Sequence, residues 1–132
     1  MYSQKVLDMF YNPTNYGVIK GAHGVGKIVD DTCGEITKIF ISVENGKVID
    51  AQFQTFGSPA LIVATNVATN LMFGKTLDQC NTITSDQILE GLGGELPDNK
   101  RYVCPIAESV IKSAVASYYK KQNQADDSDD EE

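Results

Sequence analysis

Two cysteines and a glutamate carry most of the chemistry that this sequence offers. Glu35 follows Cys33 by two positions, and Cys104 stands directly before Pro105. Thiolates and carboxylates bind soft metals and iron-sulfur clusters, but such sites use three or four ligands, and two thiols alone bind weakly. A metal or cluster site built on these two thiols is therefore incomplete.

The third cysteine and the single histidine are not part of that set. We expect Cys80 to be a buried thiol without a chemical role. His23 lies in a glycine-spaced segment and is expected to face solvent. No neighbouring motif supports general base catalysis by this histidine, and no nucleophile-base pair can be identified, so the sequence does not indicate an enzyme.

Residues 21–27 have the spacing of a phosphate-binding loop, in which backbone amides surround the phosphates. The residue after Lys27 is Ile28, where a Ser or Thr hydroxyl would hold magnesium. The following residues also favour a strand instead of the required helix. We therefore do not expect nucleotide binding.

Length and composition predict one domain in a reducing compartment. The 132 residues, 42% of them hydrophobic, are enough for one core without disulfides. Three cysteines without a dense framework, together with an N-terminal segment that lacks an apolar signal stretch, favour a cytoplasmic location. No apolar run approaches the roughly 18 residues that cross a membrane, so no membrane partner is expected.

The net charge of -7 is concentrated at the C-terminus. Without the six acidic residues after residue 125, 12 acidic side chains balance 11 basic ones. This balance, with Arg101 as the one arginine, argues against nucleic acid as a partner. Residues 122–132 are expected to form a disordered acidic tail, either a solubilising terminus or a segment that docks on a basic partner, and residues 1–121 to form the folded domain.

Hydrophobic periodicity predicts an α+β domain. Asn45 and Gly46 separate two alternating strands and are typical of a type I′ hairpin, and Ser58 is expected to cap the helix that follows. The expected fold is a small three-stranded antiparallel sheet with helices packed on one face. The predicted helices cover residues 2–11, 59–73, 76–81, 85–92 and 105 to about 121.

Several segments, in the same order, resemble the IscU/NifU N-terminal type of iron-sulfur cluster assembly scaffold. Residues 2–7 and 12–15 are similar to that family's Tyr-Ser-x-Lys-Val and Asn-Pro-Arg-Asn signatures. Residues 32–35 resemble its Cys-Gly-Asp, and residues 51–57 resemble the strand before its second cysteine. The resemblance extends over nearly the whole predicted domain and implies the IscU/NifU-like scaffold fold.

The resemblance implies a carrier of sulfur and metal instead of an enzyme. Members of the family receive sulfur from a cysteine desulfurase, assemble a [2Fe-2S] cluster on three cysteines, and pass it to recipient apo-proteins. Some members hold zinc instead. The expected partners are therefore a desulfurase and recipient apo-proteins, and a homodimer is one way to complete a ligand set that one protomer leaves incomplete.

Carried over residue by residue, the family site is incomplete. Cys33 matches the first ligand cysteine, and Glu35 replaces the family's aspartate with a carboxylate on a longer arm. Ser58 stands at the second ligand cysteine. A neutral hydroxyl is a poor ligand and cannot carry a persulfide, so we expect Ser58 to act as a helix cap only.

The third ligand position depends on the register of the alignment. Without gaps, the family cysteine falls on Val103 and its preceding histidine on Tyr102; compensating one-residue shifts instead align Cys104. We prefer the ungapped register, in which Cys104 can still face the site at a helix start or be tucked under the helix. The predicted ligand set is Cys33, Glu35 and Cys104, holding a labile [2Fe-2S] cluster or zinc, with no cofactor as the alternative.

The chaperone-recognition segment of the family is half kept. Leu96, Pro97 and Lys100 match it, whereas Asp98 and Asn99 replace apolar residues. We expect weakened recognition by the specialised Hsp70-type chaperone.

Two classes of function stay open. The first is a scaffold or carrier that holds a labile cluster or metal. The alternative is a degenerate scaffold-like binding module that contacts the desulfurase or the assembly machinery without holding a cluster.

Overall fold

Three stretches of alternating hydrophobic residues form one antiparallel sheet. The computed structural model describes residues 2–32 and 34–131, of which residues 125–131 are described by their backbone alone. The strands are β1 (Gly24–Asp30), β2 (Glu35–Glu44) and β3 (Lys47–Phe56), in the order β1-β2-β3. β2 pairs antiparallel with both neighbours.

The helices pack on one face of this sheet, where alternate residues of β2 and β3 are buried. The predicted α+β architecture, a three-stranded antiparallel sheet with helices on one side, is confirmed. The helices are α1 (Gln4–Tyr11), α2 (Pro59–Met72), α3 (Leu77–Cys80), α4 (Ser85–Gly91) and α5 (Val103–Glu131), with a 3-10 turn at Asp98–Lys100.

The predicted hairpin is present between β2 and β3. Asn45 and Gly46 have φ values of 54° and 76°, the positive values that a type I′ turn requires. A bulge interrupts the pairing between Ser42 and Val43. His23 is exposed, as expected, and its Nδ1 also accepts a hydrogen bond of 2.8 Å from the Val43 amide at the bulge.

The glycines that resemble a phosphate loop serve helix packing. Gly24 and Gly26 lie in β1, so this segment is a strand and not a loop before a helix. A Cβ atom at Gly24 would lie 2.7 Å from the Ala114 carbonyl oxygen, and one at Gly26 would lie 2.6 Å from the Val110 carbonyl oxygen. The absence of side chains therefore lets α5 lie directly against β1.

α5 is longer at both ends than the sequence predicts. It begins at Val103 and includes Pro105 in its first turn. A proline is tolerated there because the backbone N-H that it lacks would have no hydrogen-bond partner within the helix. It continues beyond Lys121 to Glu131, where neither glycine nor proline interrupts the chain. The backbone of residues 122–131 is thus helical where we expected disorder, and a domain boundary at residue 121 stays a prediction. Although α5 has 29 residues, no helix among those described is long and apolar enough to cross a membrane.

Candidate functional site

A buried carboxylate joins three elements at one end of the sheet. Glu35, the first residue of β2, is only 4% exposed. Its Oε2 accepts a hydrogen bond of 2.7 Å from the backbone N-H of Ser58, the residue that caps α2. Its Oε1 accepts a hydrogen bond from the hydroxyl of Tyr102, the residue directly before α5. Both carboxylate oxygens are therefore engaged by the protein itself.

Gly57 makes this arrangement sterically possible. A Cβ atom at residue 57 would lie 2.6 Å from Oε2 of Glu35 and 2.9 Å from its Cγ. Contacts under 3.0 Å require one side to move, and the Glu35 carboxylate is held by two hydrogen bonds. The glycine before Ser58 is therefore part of the site.

The surroundings of Glu35 favour its charged form. Burial raises the pKa of Glu35, but hydrogen bonds from Tyr102 and from the backbone and side chain of Ser58 lower it, as does the positive charge of Lys100. Together these lowering effects prevail, and the pKa lies below the ordinary value of 4.5. Glu35 is an anion at neutral pH, placed at the N-terminus of the 14-residue helix α2, where negative charge is stabilised.

A chain of buried hydroxyls supports the same end of the sheet. The Oγ1 atom of Thr37 lies 2.7 Å from that of Thr55 and 3.0 Å from that of Thr65. Thr65 also donates to the Leu61 carbonyl oxygen in the first turns of α2. These contacts fix α2, β2 and β3 relative to one another below the Glu35 carboxylate, and their positions gave no signal in the periodic pattern of the sequence.

The first predicted ligand, Cys33, lies outside the described residues. It stands two positions before Glu35 in the chain. Three described positions that match the family site also come together here, since Glu35 accepts hydrogen bonds from both Ser58 and Tyr102.

Cys104, the third predicted ligand, lies in the hydrophobic core. Its side chain is 3% exposed in the first turn of α5, next to the fully buried Val103. Burial raises the pKa of the Cys104 thiol, Arg101 lowers it in part, and Asp86 raises it, so the pKa lies above the usual value. Burial thus outweighs the expected preference of a helix N-terminus for thiolate. The contact from this segment to Glu35 comes from Tyr102.

Cys80 is buried, as expected. Its side chain has no exposed surface, and its Sγ lies 3.9 Å from the Met72 carbonyl oxygen. Burial raises the pKa of Cys80 to about 11, although the charge of Lys75 lowers it in part. At neutral pH this residue is an inert thiol.

Glu35 is the buried carboxylate among the described residues at this end of the sheet, and Asp30 of β1 is its partner in the strand register. Among residues 2–32 and 34–124, whose side chains the structure describes, there is no group of three or more His, Cys, Asp or Glu side chains that could hold a metal ion. The expected cap role of Ser58 is confirmed, since its Oγ accepts from the Leu61 amide at 3.4 Å. A ligand set centred here therefore depends on Cys33 together with Glu35.

Tyr102 is the functional residue that sequence reasoning did not single out. The ungapped register already placed it at the family's histidine position, next to the third ligand position. That alignment was the available signal, because a contact between residues 67 positions apart leaves no local pattern. The tyrosine retains a polar group at this position but directs it to Glu35.

Comparison with known proteins agrees with this geometry. The family model described as the NifU-like N terminal domain matches residues 1–125. A protein of Archaeoglobus fulgidus named iron-sulfur cluster assembly scaffold protein IscU is 39% identical over 126 residues, covering 96% of this chain and 82% of its own length. The IscU scaffold protein of Haemophilus influenzae is 37% identical, covering 92% of this chain and 98% of its own length.

Solved structures show the same fold. The crystal structure of a protein described as an iron-sulfur cluster assembly scaffold for the SUF system, from Fervidobacterium islandicum, superposes with a TM-score of 0.67 at 20% identity. The match covers 86% of this chain and 96% of that one. The predicted resemblance is confirmed, and the chain belongs to the NifU-like N-terminal domain family, which includes the IscU scaffolds.

Proposed function

We propose that this protein is an iron-sulfur cluster assembly scaffold that binds its cargo with Cys33 and Glu35, at the end of the sheet where β2 begins. Family membership over residues 1–125 supports the role. The observation that supports the position is that Glu35 accepts hydrogen bonds from Ser58 and Tyr102. Glu35 follows Cys33 by two positions in the chain. The protein would act in the cytoplasm as a carrier and not as an enzyme.

The cargo is a labile [2Fe-2S] cluster or a zinc ion. The Cys33 thiolate is the one soft ligand that matches a family ligand position without a shift in register, and it would accept sulfur from a cysteine desulfurase. Glu35 supplies a hard oxygen ligand, which binds a soft metal less tightly than a thiolate does and so favours release of the cargo. Cys104 can join this set only when the first turn of α5 opens, because its thiol is buried in the closed structure.

With so few ligands, the cargo would need a further donor. A thiol of a second protomer, or one of a recipient apo-protein, would complete the coordination and then favour transfer to the recipient. The open position left by Ser58 is compatible with this sharing, because a serine with a confirmed cap role binds metal poorly. We accordingly propose a cargo that is passed on quickly instead of stored.

A second candidate function follows from the hydrogen bonds of Glu35. Both of its carboxylate oxygens have protein partners, and Cys104 lies in the core. A protein with these features can keep the family fold as a binding module that contacts the desulfurase without holding metal. This alternative differs from the scaffold function in one measurable property, the uptake of metal.

Anaerobic reconstitution with iron, cysteine, a desulfurase and dithiothreitol, which reduces the delivered sulfur to sulfide, distinguishes the two functions. The scaffold function predicts visible cluster absorption and bound iron in the wild type, with both lost in Cys33→Ala. Desulfurase binding, measured in parallel by calorimetry, should persist in the variant. Wild-type protein that binds the desulfurase but takes up neither iron nor zinc would favour the binding module.

The Hsp70-type chaperone is proposed as a weakened partner. Leu96 is 4% exposed, and residues 98–100 form a 3-10 turn, so the segment is held in the fold as well as altered in sequence. A peptide of residues 94–104 should bind the chaperone less tightly than the same peptide with Asp98→Pro and Asn99→Val. Equal affinities would contradict this proposal.

A further inference from the structure

We propose that Tyr102 is a latch that competes with the cargo for Glu35, an inference that rests on the proposed function and specifies how its site is regulated. The latch is the hydrogen bond from the Tyr102 hydroxyl to Oε1 of Glu35. While it is made, that oxygen cannot offer its full charge to a metal. Tyr102 is thus a positioning residue. While its hydrogen bond is made, both oxygens of Glu35 have partners within the protein, and we call this the closed state.

The two oxygens of Glu35 have different roles in this closed state. Oε2 accepts from the backbone amide of Ser58 at 2.7 Å, a contact fixed by the main chain at the start of α2. Oε1 is held by the side chain of Tyr102, a residue that belongs to neither β2 nor α2. Release of the latch therefore frees one oxygen toward a ligand while the other oxygen continues to orient the carboxylate.

The position of Tyr102 connects the latch with Cys104. Tyr102 directly precedes α5, and its partly buried side chain packs against the core two residues before the Cys104 thiol. The hydrogen bond to Glu35 fastens this end of α5 to the sheet. Opening of the latch therefore makes the first turn of α5 easier to displace. Loss of this one hydrogen bond thus makes both Glu35 and Cys104 more available to a metal.

The apparent affinity for metal is the affinity of the open form multiplied by the fraction of molecules in which the latch is open. A hydrogen bond to a charged group contributes enough for removal of the hydroxyl to change the affinity by about tenfold. A purely structural role for Tyr102 predicts the opposite sign, because loosening a preorganised site weakens binding. The direction of the change therefore identifies the role.

Cobalt titration of the full chain tests the latch. Co²⁺ replaces zinc and reports thiolate ligation through its charge-transfer absorption. Tyr102→Phe should bind Co²⁺ about tenfold more tightly than the wild type, and the gain should vanish when Glu35→Gln is also present. Tyr119→Phe, which alters an exposed tyrosine of α5, is the matched control and should leave the affinity unchanged.

Alkylation of Cys104 supplies a readout without metal. In a Cys33→Ser, Cys80→Ser background, Tyr102→Phe should increase the rate at which iodoacetamide modifies Cys104 in the native state, and Tyr119→Phe should not. Circular dichroism would verify that each variant is folded.

The outcomes separate the latch from the proposed function. Wild-type binding that depends on Cys33, with equal or weaker binding by Tyr102→Phe, would overturn the latch and leave the scaffold function intact. Absence of Cys33-dependent binding in both proteins would overturn the cargo site and the latch with it. An unchanged alkylation rate would overturn the link to Cys104.

Discussion

The hydroxyl of Tyr102 donates a hydrogen bond to Oε1 of Glu35, so that the residue before α5 is joined to the first residue of β2. This contact connects two positions that the family resemblance associates with the cargo site. It also helps the buried carboxylate to stay charged, because it lowers the pKa of Glu35. Much of the behaviour expected of this protein follows from this pair.

Removal of the Tyr102 hydroxyl should destabilise the fold. A hydrogen bond to a buried charged group contributes about 1.5 to 3 kcal/mol, so Tyr102→Phe should lower the free energy of unfolding by an amount in that range. Urea denaturation followed by circular dichroism measures the change. Tyr119→Phe should change stability by less than about 0.5 kcal/mol, as an exposed substitution usually does. Equal effects of the two substitutions would show that the bond to Glu35 contributes nothing.

Gly57→Ala should disturb the site through Glu35. The new Cβ would meet Oε2 and Cγ of Glu35 at 2.6 and 2.9 Å, so the carboxylate would have to move and its hydrogen bonds would weaken. Overpacking of this kind costs about 1 to 3 kcal/mol. The cost, measured by denaturation, should be smaller in a Glu35→Ala background, where both of those atoms are absent. An equal cost in the two backgrounds would place the strain elsewhere.

Glu35 should make stability depend on pH in the acid range. Its folded-state pKa is lowered, so the unfolded chain binds this proton more readily than the folded chain. Its stabilising contribution is therefore fully present above the ordinary value of 4.5 and is lost as the pH falls through the lower folded-state pKa.

Glu35→Gln provides the comparison for this pH dependence. Thermal unfolding at a series of pH values below about 5 should show a steeper loss of stability in the wild type than in the variant. Parallel curves would mean that the two hydrogen bonds do not favour the charged carboxylate.

Ser58→Cys should strengthen metal binding. It places a thiol at the family's second ligand position, directly beside the Glu35 carboxylate. Because outer-shell partners alone change metal affinity by about 10- to 100-fold, a direct ligand should change Co²⁺ affinity at least as much.

Two controls accompany this substitution. Ser58→Ala should lose about 0.5 to 2 kcal/mol of stability as the cap is removed, without any gain in affinity. Ser42→Cys adds a thiol near the opposite end of β2 and should leave Co²⁺ affinity unchanged. A similar gain from Ser42→Cys would mean that any added thiol suffices.

Local signals in the sequence predict much of this fold. Asn45 and Gly46 mark the hairpin because the turn needs positive φ values, and Ser58 marks the start of α2 because a free amide of the first turn needs an acceptor. The end of α5 could not be predicted in the same way. Charge composition favoured a tail after residue 121, whereas the backbone remains helical to Glu131.

The contacts that build the site are not local. Glu35 meets Tyr102 across 67 positions, and His23 reaches the Val43 amide across 20. No periodicity records such pairs, and Gly26 resembles a phosphate-loop glycine until α5 is seen against it. The family resemblance predicts the positions of the site, but only the structure shows that Glu35 accepts hydrogen bonds from the Ser58 amide and the Tyr102 hydroxyl.

Native mass spectrometry after anaerobic loading with a desulfurase, cysteine, Fe²⁺ and dithiothreitol as the reductant tests the central claim most directly. The measurement compares the wild type with Cys33→Ser and, as a matched control, Cys80→Ser, which alters a buried thiol away from the site. We predict that the wild type and Cys80→Ser gain the mass of iron and sulfide and that Cys33→Ser does not. A wild-type protein that remains in the apo form, or a Cys33→Ser variant that loads as fully as the wild type, would contradict a cargo site at Cys33 and Glu35.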